Sequence, residues 1–410
     1  MTSTHFSGAF ASRLSARVAT SLAAAALGTA AMAQDNATVA FLMPDQASTR
    51  YEQHDFPGFK AAMAKLCAGC TVIYQNANGN AALQQQQFNS VITQGAKVIV
   101  LDPVDSAAAA ALVEIAQSQD VKVIAYDRPI PDKPADYYVS FDNKAIGQAI
   151  AQSLVEHMKA AGVPAGAGVL QINGSPTDAA AGLIRDGIHA ALQASDYKTL
   201  SEFDTPEWAP PKAQEWAAGQ ITRFGADIKG VVAANDGTAG GAIAAFKAAG
   251  VNPVPPVTGN DATIAALQLI IAGDQYNTIS KPSEVVAASA AEVVAAFLKG
   301  ETPDAKATLY DTPSQLFVPA VVTAENIKAE IFDKGIQKAS EVCTGEYAAA
   351  CQKGTGAEHC ERFLTGTACR RRLEVLIVLY VLRMLYVCGI CGLMFGPAHG
   401  SFLLHTILSR

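Results

Sequence analysis

Short runs of β-branched and other apolar residues alternate with longer, alanine-rich stretches along the middle of the chain. The run from Thr38 to Leu42 predicts a strand, and the segment from Phe56 to Leu66 has apolar positions at helical spacing. Lys97 to Leu101 is almost wholly apolar, which is typical of a parallel strand buried on both faces. The pattern therefore predicts strands and helices that follow one another in turn.

Two successive series of this alternation are present. The predicted strands are 38–42, 71–74, 97–101 and 121–126, then 169–172, 198–203, 230–233 and the neighbourhood of Val257. The predicted helices are 56–66, 80–94 and 106–117, then 144–160, 179–193, 211–223 and 238–249. This alternation predicts the α/β class, and two series predict two doubly wound lobes, each with a parallel sheet.

The charge is distributed unevenly along the chain. The 410 residues are 50% hydrophobic and 16% charged, with a formal net charge of −7. Residues 1–33 hold two arginines and no acid, whereas 353–410 hold seven basic and three acidic residues. Residues 34–352 therefore carry a net charge of −13, which argues against a nucleic-acid-binding surface, because such a surface is basic.

The N-terminus has the pattern of a secretory signal peptide. Arg13 and Arg17 precede a short apolar stretch, and Ala31-Met32-Ala33 places small residues correctly for cleavage after Ala33. The apolar stretch is shorter than the ~20 residues that a membrane span needs. Residues 1–33 are therefore expected to be a signal peptide, and the rest of the protein is expected outside the cytoplasm.

The last segment, 353–410, is unlike the rest and is rich in Cys, Leu and Arg. Its apolar run 373–395 is long enough to span a bilayer. Arg383 would cost about 2.5–3.5 kcal/mol near the bilayer centre, and the basic triplet Arg370 to Arg372 would lie on the exported side, against the positive-inside tendency. The sequence favours an atypical extension, such as a shifted reading frame, over a membrane anchor.

Polar and charged residues recur where the predicted strands end, and ligands of open parallel sheets bind at these ends. The residues are Asp45, Arg50, Tyr51, Asp127, Arg128, Asp178, Asn235, Asp236, Asp261 and Lys281. Each alone has a simpler interpretation, because Asp178, Asp236 and Asp261 could cap helices. The set goes beyond capping, since caps require neither Arg128 nor Lys281.

A neutral polyol suits this mixture of side chains. Each sugar hydroxyl both donates and accepts hydrogen bonds, so carboxylates, amides and cations together can satisfy it. Aromatic rings then cover the C–H faces of the sugar, and Trp208, Tyr51 and Phe56 are candidates. Trp208 could equally be a core residue.

Seven motifs follow one another in unbroken order between residues 36 and 340. They are Gln75-Asn76-Ala77-Asn78-Gly79-Asn80, Ala125-Tyr126-Asp127-Arg128, Tyr138-Val139-Ser140-Phe141-Asp142-Asn143, Gly174-Ser175-Pro176-Thr177-Asp178, Asn235-Asp236-Gly237-Thr238-Ala239-Gly240-Gly241, Gly259-Asn260-Asp261-Ala262 and Lys281-Pro282. Together they resemble the periplasmic sugar-binding proteins of ABC importers, in particular the D-xylose-binding type.

The resemblance implies two lobes that close on a monosaccharide, with a three-segment hinge near Phe141-Asp142, Asp261 and Lys281. The lobes are expected to be 36–141 plus 262–280 and 142–261 plus 281–342. The implied sugar contacts are Arg50, Asp127, Arg128, Asp178, Trp208, Asn235, Asp261 and Lys281, and Asp45, Tyr51 and Asp236 are further candidates. The implied location is the periplasm, and the implied partner is an ABC permease with its ATPase. No cofactor, metal or catalytic residue is implied.

The chain departs from the family at four positions. Ala179 and Ala180 stand where the family commonly has two asparagines, Tyr51 replaces a tryptophan, and Asn260 replaces a glutamine. A missing amide leaves a sugar hydroxyl unsatisfied unless water replaces it. The expected ligand is therefore a monosaccharide, xylose or another pentose or aldose, rather than xylose specifically.

Three other functions are compatible with parts of the pattern. An exported carbohydrate-active enzyme has little support, because P-loop, G-x-S-x-G and H-E-x-x-H motifs are missing from the sequence and the seven histidines do not group at metal-ligand spacings. A sugar-responsive repressor would need a helix-turn-helix where the signal peptide stands. A sugar sensor for chemotaxis or signalling is the main alternative to transport.

Four cysteines of the body form two close pairs in sequence. Cys67 and Cys70 lie between a helix end and a strand, which favours a local structural disulfide over a redox site. Cys343 and Cys351 are expected to pair similarly, since disulfides persist outside the cytoplasm.

Overall fold

The computed structural model describes residues 36–46 and 48–355, together with the first two residues of the chain. The expected cleavage site after Ala33 and the apolar run 373–395 lie outside the described residues. Within the described part, no helix is both long and apolar enough to cross a bilayer.

Strands and helices alternate through the described residues, which confirms the α/β class. The strands are β1 (Thr38–Met43), β2 (Thr71–Asn76), β3 (Ala96–Leu101), β4 (Lys122–Tyr126), β5 (Tyr137–Phe141), β6 (Gly168–Asn173), β7 (Lys198–Asp204), β8 (Ile228–Ala233), β9 (Asn277–Ser280), β10 (Ala307–Leu309), β11 (Thr312–Phe317) and β12 (Ala320–Thr323). The helices are α1 (Phe56–Leu66), α2 (Ala81–Thr93), α3 (Ala109–Gln117), α4 (Asn143–Ala160), α5 (Ala179–Gln193), α6 (Pro210–Phe224), α7 (Asp236–Ala248), α8 (Ile264–Ala272), α9 (Ser283–Leu298), α10 (Ala339–Val342) and α11 (Ala348–Thr355).

The first lobe is built on a seven-stranded sheet with the order β10-β11-β5-β4-β3-β1-β2. All neighbouring strands are parallel except β10 and β11. Helices α1 and α9 cover one face of this sheet, and α2 and α3 cover the other. The apolar side chains from Val98 to Leu101 in β3 are buried because both faces are covered.

The second lobe has a smaller parallel sheet, β7-β6-β8, to which Val257 adds a single bridge beside Val231. Helices α4 and α5 cover one face, and α6 and α7 cover the other. An antiparallel pair, β9 and β12, completes this lobe. Both lobes are therefore doubly wound.

The lobe assignment of two segments was wrong. Residues 262–280 belong to the second lobe, because β9 pairs with β12 and α8 packs beside α7. Residues 283–317 belong to the first lobe, because α9 packs on α1 and β11 pairs with β5. A helical pattern such as that of α9 marks a buried face, but it does not identify the sheet that buries it.

Three crossovers join the lobes, and one of them was placed wrongly. The chain crosses after β5 and again after β9, as expected. The third crossover is Val318-Pro319, between β11 and β12, and not Asp261. Asp261 remains in the second lobe, where its backbone N–H donates to the carbonyl of Ile279 in β9 at 3.2 Å.

The two lobes touch at the edge of the cleft between them. The backbone N–H of Ser106, in the first lobe, donates to the carbonyl of Thr177, in the second, at 3.0 Å. The hydroxyl of Ser106 accepts from the backbone N–H of Ala179 at 3.1 Å. These bonds hold the lobes in a closed arrangement.

Both expected disulfides are present. Cys67–Cys70 links the end of α1 to the start of β2. Cys343–Cys351 lies within a separate C-terminal unit that begins at Cys343 and includes α11.

Helices α4 and α5 approach each other closely at two glycines. A Cβ at Gly187 would lie 2.2 Å from the carbonyl oxygen of Lys144, and one at Gly147 would lie 1.9 Å from that of Ile184. Both distances are far inside van der Waals contact. The position of α5, whose first turn follows Asp178, therefore depends on these glycines.

Gly187→Ala is expected to lower the free energy of unfolding by about 1–3 kcal/mol, because the added methyl group must push α4 and α5 apart. Urea unfolding followed by circular dichroism measures this change. Gly182→Ala is the matched control: it lies in the same helix, and its Cβ would meet no atom within 4 Å. The control should be neutral or stabilising by up to about 1 kcal/mol. Equal effects of the two substitutions would contradict the packing argument.

Candidate functional site

A cavity lies between the lobes, at the carboxyl ends of strands from both sheets. All eight residues named as ligand contacts line it: Arg50, Asp127, Arg128, Asp178, Trp208, Asn235, Asp261 and Lys281. The other lining residues are Ser48, Tyr51, Asn143, Ala180, Ile184 and Asn260. Seven of the eight follow a strand, and Asp261 follows the single bridge at Val257, so the parallel topology gathers residues that are distant in sequence.

Asp127 lies at the centre of the site, directly after β4. Its carboxylate accepts a hydrogen bond from Arg50 Nη2, and Lys281 Nζ lies 3.6 Å from its Oδ1. Burial favours the neutral acid, but Arg50, Lys281 and Arg128 together lower the pKa of Asp127 to about 2. Asp127 is therefore ionised at neutral pH.

Arg50 follows β1 and pairs with carboxylates of both lobes. Besides Asp127, its Nη1 donates to Asp55 Oδ1 at 2.8 Å, and its Nε lies 3.9 Å from Asp261 Oδ1. The guanidinium carbon also lies 4.7 Å from the ring centroid of Tyr51. These contacts fix the guanidinium between the first lobe and the second.

The guanidinium group of Arg128 contacts three further carboxylates. Its Nη2 donates to Asp45 Oδ2 at 2.7 Å, and its Nε lies 3.3 Å from Asp178 Oδ2 and 3.5 Å from Asp102 Oδ1. Burial raises the pKa of Asp102 well above its usual value, and it raises that of Asp178 too, against the opposing charge of Arg128. Asp45 contacts this arginine and is not among the lining residues.

Lys281 stands on the crossover after β9. Its Nζ lies 3.1 Å from Asp261 Oδ1 in the second lobe and 3.6 Å from Asp127 Oδ1 in the first. The lysine side chain is only 6% exposed. One buried ammonium group thus links carboxylates from both lobes.

Trp208 lies in a short turn after β7, with its ring packed over the backbone of Gly174. A Cβ at Gly174 would lie 2.1 Å from the ring, so a larger residue there would displace the indole. The indole Nε1 donates to Asp178 Oδ2 at 2.9 Å. Trp208 is therefore both well buried, as a core residue would be, and part of the cavity wall.

Three site residues have backbone conformations that normally favour glycine. The φ angles are 57° at Asp127, 55° at Trp208 and 108° at Asp261. Such conformations cost about 1–3 kcal/mol at non-glycine residues and are typical of binding sites, where they aim particular side chains.

Asp178 and Asn235 each serve two purposes. Asp178 Oδ1 accepts from the backbone N–H of Ala180 at 2.8 Å and so caps α5, while its Oδ2 contacts Trp208. Asn235 Oδ1 accepts from the backbone N–H of Thr238 at 2.9 Å and caps α7. The capping and ligand-binding interpretations are therefore compatible, because each residue keeps a second polar atom at the cavity.

Asp236 does not line this cavity, and its carboxylate holds parts of the second lobe together. It accepts from Thr263 N–H at 2.9 Å, from the hydroxyl of Thr278 at 2.7 Å and from the amide of Gln275 at 3.1 Å. Burial, together with the nearby charge of Asp261, raises the pKa of Asp236 to about 7.

Two asparagines in the cavity wall were not among the eight expected sugar contacts. Asn143 begins α4, and Asn260 directly precedes Asp261. Asn260 is 2% exposed, and its Oδ1 has no hydrogen-bond partner among the described residues. Its position at the end of the strand-like segment at Val257 is the sequence signal that points to it.

Carboxylates outnumber cations in this buried cluster. Three cations contact six carboxylates: Asp45, Asp55, Asp102, Asp127, Asp178 and Asp261. In the described part of the chain, no three His, Cys, Asp or Glu side chains meet in an arrangement that could hold a metal ion. The site is therefore a mixed, densely hydrogen-bonding surface with an excess of acid.

Two α/β lobes that close over a polar cleft define a class of ligand receptors. Residues 39–302 match the periplasmic binding protein domain. The match covers more than half of the chain, and the chain belongs to this family, whose members are binding proteins and not enzymes.

Relatives with assigned ligands are similar over most of their length. The D-xylose-binding periplasmic protein of Escherichia coli (strain K12) is 36% identical, over 67% of this chain and 84% of that protein. The multiple sugar-binding periplasmic receptor ChvE of Rhizobium radiobacter is 30% identical, over 78% of this chain and 98% of that one. An ABC transporter solute-binding protein from Clostridium phytofermentans, solved with bound β-D-glucose, has a TM-score of 0.69 and 26% identity, covering 74% of this chain and 99% of that chain.

Arg128→Ala is expected to lower the free energy of unfolding by about 3–5 kcal/mol at pH 8, because it leaves buried carboxylates without their cation. Loss of Arg128 raises the pKa values of Asp102 and Asp178 further. A carboxyl whose pKa is higher in the folded than in the unfolded state stabilises the fold at low pH and loses that effect as pH rises. The loss in free energy of unfolding caused by Arg128→Ala should therefore be smaller at pH 5 than at pH 8, as measured by urea unfolding.

Arg185→Ala is the control for this prediction. Arg185 is exposed and lies 3.7 Å from the exposed Asp204, so its loss should cost less than about 1 kcal/mol. A deficit for Arg128→Ala that is no larger than the control's, or that grows at low pH, would contradict the charge arrangement described above.

Proposed function

We propose that this protein is an exported receptor that captures a neutral monosaccharide, xylose or another pentose or aldose, between its lobes and delivers it to an ABC permease with its ATPase. The observation that carries the proposal is the buried cluster of cations and carboxylates in the cleft. It offers donors and acceptors together, as sugar hydroxyls require. The sugar-binding names of the relatives support the same conclusion.

Both lobes and one crossover contribute to the proposed binding. The first lobe supplies Arg50, Asp127 and Arg128. The second lobe and the crossover after β9 supply Asp178, Trp208, Asn235, Asp261 and Lys281. Binding replaces part of the direct pairing among these side chains with bonds to hydroxyls, and charge-assisted hydrogen bonds contribute about 1.5–3 kcal/mol each.

The cavity also limits the class of sugar. Ala180 and Ile184, one turn apart on α5, give one part of the wall an apolar surface, which suits C–H groups better than hydroxyls. The excess of carboxylates repels an anionic ligand, whose charge would also be buried without a free cation. A neutral pentose or aldose therefore fits better than a sugar acid or sugar phosphate.

Delivery to a permease is preferred over a purely sensory role. A chemotaxis or signalling receptor would use the same closed lobes, so the cleft alone does not distinguish the two. The structural relative with bound glucose is described as an ABC transporter protein, which favours transport.

The tryptophan fluorescence of the purified protein is expected to respond to at least one of xylose, arabinose, ribose, glucose and galactose. Trp208 is in the cavity wall, whereas the other tryptophan, Trp216, stacks on Phe203 at 5.4 Å. The response should survive Trp216→Phe and disappear in Trp208→Phe. Glucuronate, the anionic counterpart of glucose, is the control and should give no response. If no neutral sugar changes the fluorescence or the thermal stability, the proposal is rejected, because a bound ligand must stabilise the fold.

Lys281→Met is expected to weaken sugar binding about ten- to hundredfold by isothermal titration calorimetry, because it removes a charge-assisted donor shared by both lobes. Lys247→Met is the matched control, since Lys247 forms an exposed pair with Asp274 at 2.6 Å and should leave affinity unchanged. A Lys281→Met variant with native circular dichroism and unaltered affinity would show that the site is misplaced.

A further inference from the structure

A set of hydrogen bonds joins the two lobes beside the sugar site. Ser106, in the loop between β3 and α3, donates its backbone N–H to the carbonyl of Thr177 at 3.0 Å. The hydroxyl of Ser106 accepts from the backbone N–H of Ala179 at 3.1 Å, and the hydroxyl of Thr177 donates to the carbonyl of Val104 at 3.4 Å. All three bonds connect one lobe to the other, and we call them the latch.

The latch is separate from the surface that a sugar contacts. Ser106, Thr177 and Ala179 are not among the described residues that line the cavity. Ser106 is also only 2% exposed, so water competes little for its bonds in the closed arrangement. The latch can therefore stabilise the closed lobes without touching a ligand.

One bond of the latch satisfies a donor at the start of α5. Asp178 Oδ1 accepts from the backbone N–H of Ala180, which leaves the N–H of Ala179, the first residue of α5, to another acceptor. The hydroxyl oxygen of Ser106 is that acceptor, and it belongs to the opposite lobe. Opening the lobes breaks this bond, and water must then replace it.

The loop that carries Ser106 is fixed to its own lobe. Gln84 of α2 is 3% exposed, and its Nε2 donates to the carbonyl of Asp102 at 2.8 Å. Its Oε1 accepts from the backbone N–H of Val104, also at 2.8 Å. Ser106 is thus held in position before the lobes meet, so little additional ordering opposes formation of the latch.

Arg128 connects the latch to the sugar site. Its Nη1 donates to the carbonyl of Pro103, in the loop of Ser106, at 3.1 Å. Its Nε lies 3.3 Å from Oδ2 of Asp178, the residue before Ala179. A sugar held by Arg128 and Asp178 therefore favours the same arrangement of the lobes in which the latch forms.

We propose that Ser106 is a positioning residue that holds the lobes closed over the sugar and so sets the affinity and the release rate of every ligand alike. This inference rests on the proposed sugar-binding function and deepens it by assigning control of release. Loss of the latch lowers the population of the closed form, so it weakens the binding of each sugar by a common factor. A residue that touches the sugar would instead change the affinities unequally.

The test is Ser106→Ala in the purified full chain, by isothermal titration calorimetry with xylose, arabinose, ribose, glucose and galactose. Each sugar that binds the wild type should bind this variant about two- to tenfold more weakly, by a common factor, because one hydrogen bond between the lobes is lost. The dissociation rate, from stopped-flow tryptophan fluorescence, should rise by the same factor, since the sugar leaves only after the lobes open.

Ser195→Ala is the matched control. The hydroxyl of Ser195 also accepts from a backbone N–H, that of Tyr197 at 3.2 Å, but both residues lie in the second lobe. The control should therefore leave the affinities and the dissociation rate unchanged.

Three results would overturn this inference while leaving the proposed function intact. The first is a Ser106→Ala variant that binds every sugar as tightly as Ser195→Ala does. The second is a loss of affinity that differs from sugar to sugar, and the third is weaker binding with an unchanged dissociation rate. Failure of all five sugars to bind the wild type would overturn the proposed function and this inference together.

Discussion

The burial of Asp127 between two lobes is the constraint on which the rest of the site depends. A carboxylate removed from water costs several kcal/mol unless cations and hydrogen bonds replace the water. Arg50 contacts it from the loop after β1, and Lys281 contacts it from a crossover while also pairing with Asp261 of the second lobe. Because the same cations compensate Asp127 and contact the second lobe, closing the lobes and compensating this buried charge are one process.

This arrangement bears on how a receptor of the proposed kind can release its ligand. The closed structure already pairs Arg128 with Asp178 and Lys281 with Asp261, so a sugar exchanges existing polar contacts for new ones. Affinity depends only on the difference in free energy between the contacts that are lost and the contacts to the sugar that replace them. That difference must also exceed the entropy cost of ordering the ligand. A dense ion-pair network can therefore give specific recognition without binding so tightly that delivery to a partner fails.

The sequence predicts more of the site than of the lobe boundaries, and the reason is physical. Seven of the eight expected contacts could be found as polar residues after strands, because parallel strands end at one edge of a sheet. The eighth, Trp208, was implied as a contact by the family resemblance, and all eight line the cavity. The segment that holds α9 and β11 was assigned to the wrong lobe, because no local pattern specifies which sheet an element packs against. Asn143 and Asn260 were missed since an asparagine beside a helix start or an aspartate has an adequate local interpretation. The partners of Arg128 depend on tertiary geometry, which no local pattern encodes.

The buried carboxylate of Asp236, which lies outside the cavity, holds together the segments that carry three cavity residues. Asp236 directly follows Asn235 and accepts hydrogen bonds from Thr263, two positions after Asp261, and from Thr278, three positions before Lys281. The segments that carry Asn235, Asp261 and Lys281 are thereby joined at a single buried acceptor group. A shift in any one of these segments would leave donors or the acid unsatisfied in a buried environment, which is costly. The second lobe and the crossover after β9 therefore present these three side chains to the cleft in one arrangement that depends on Asp236.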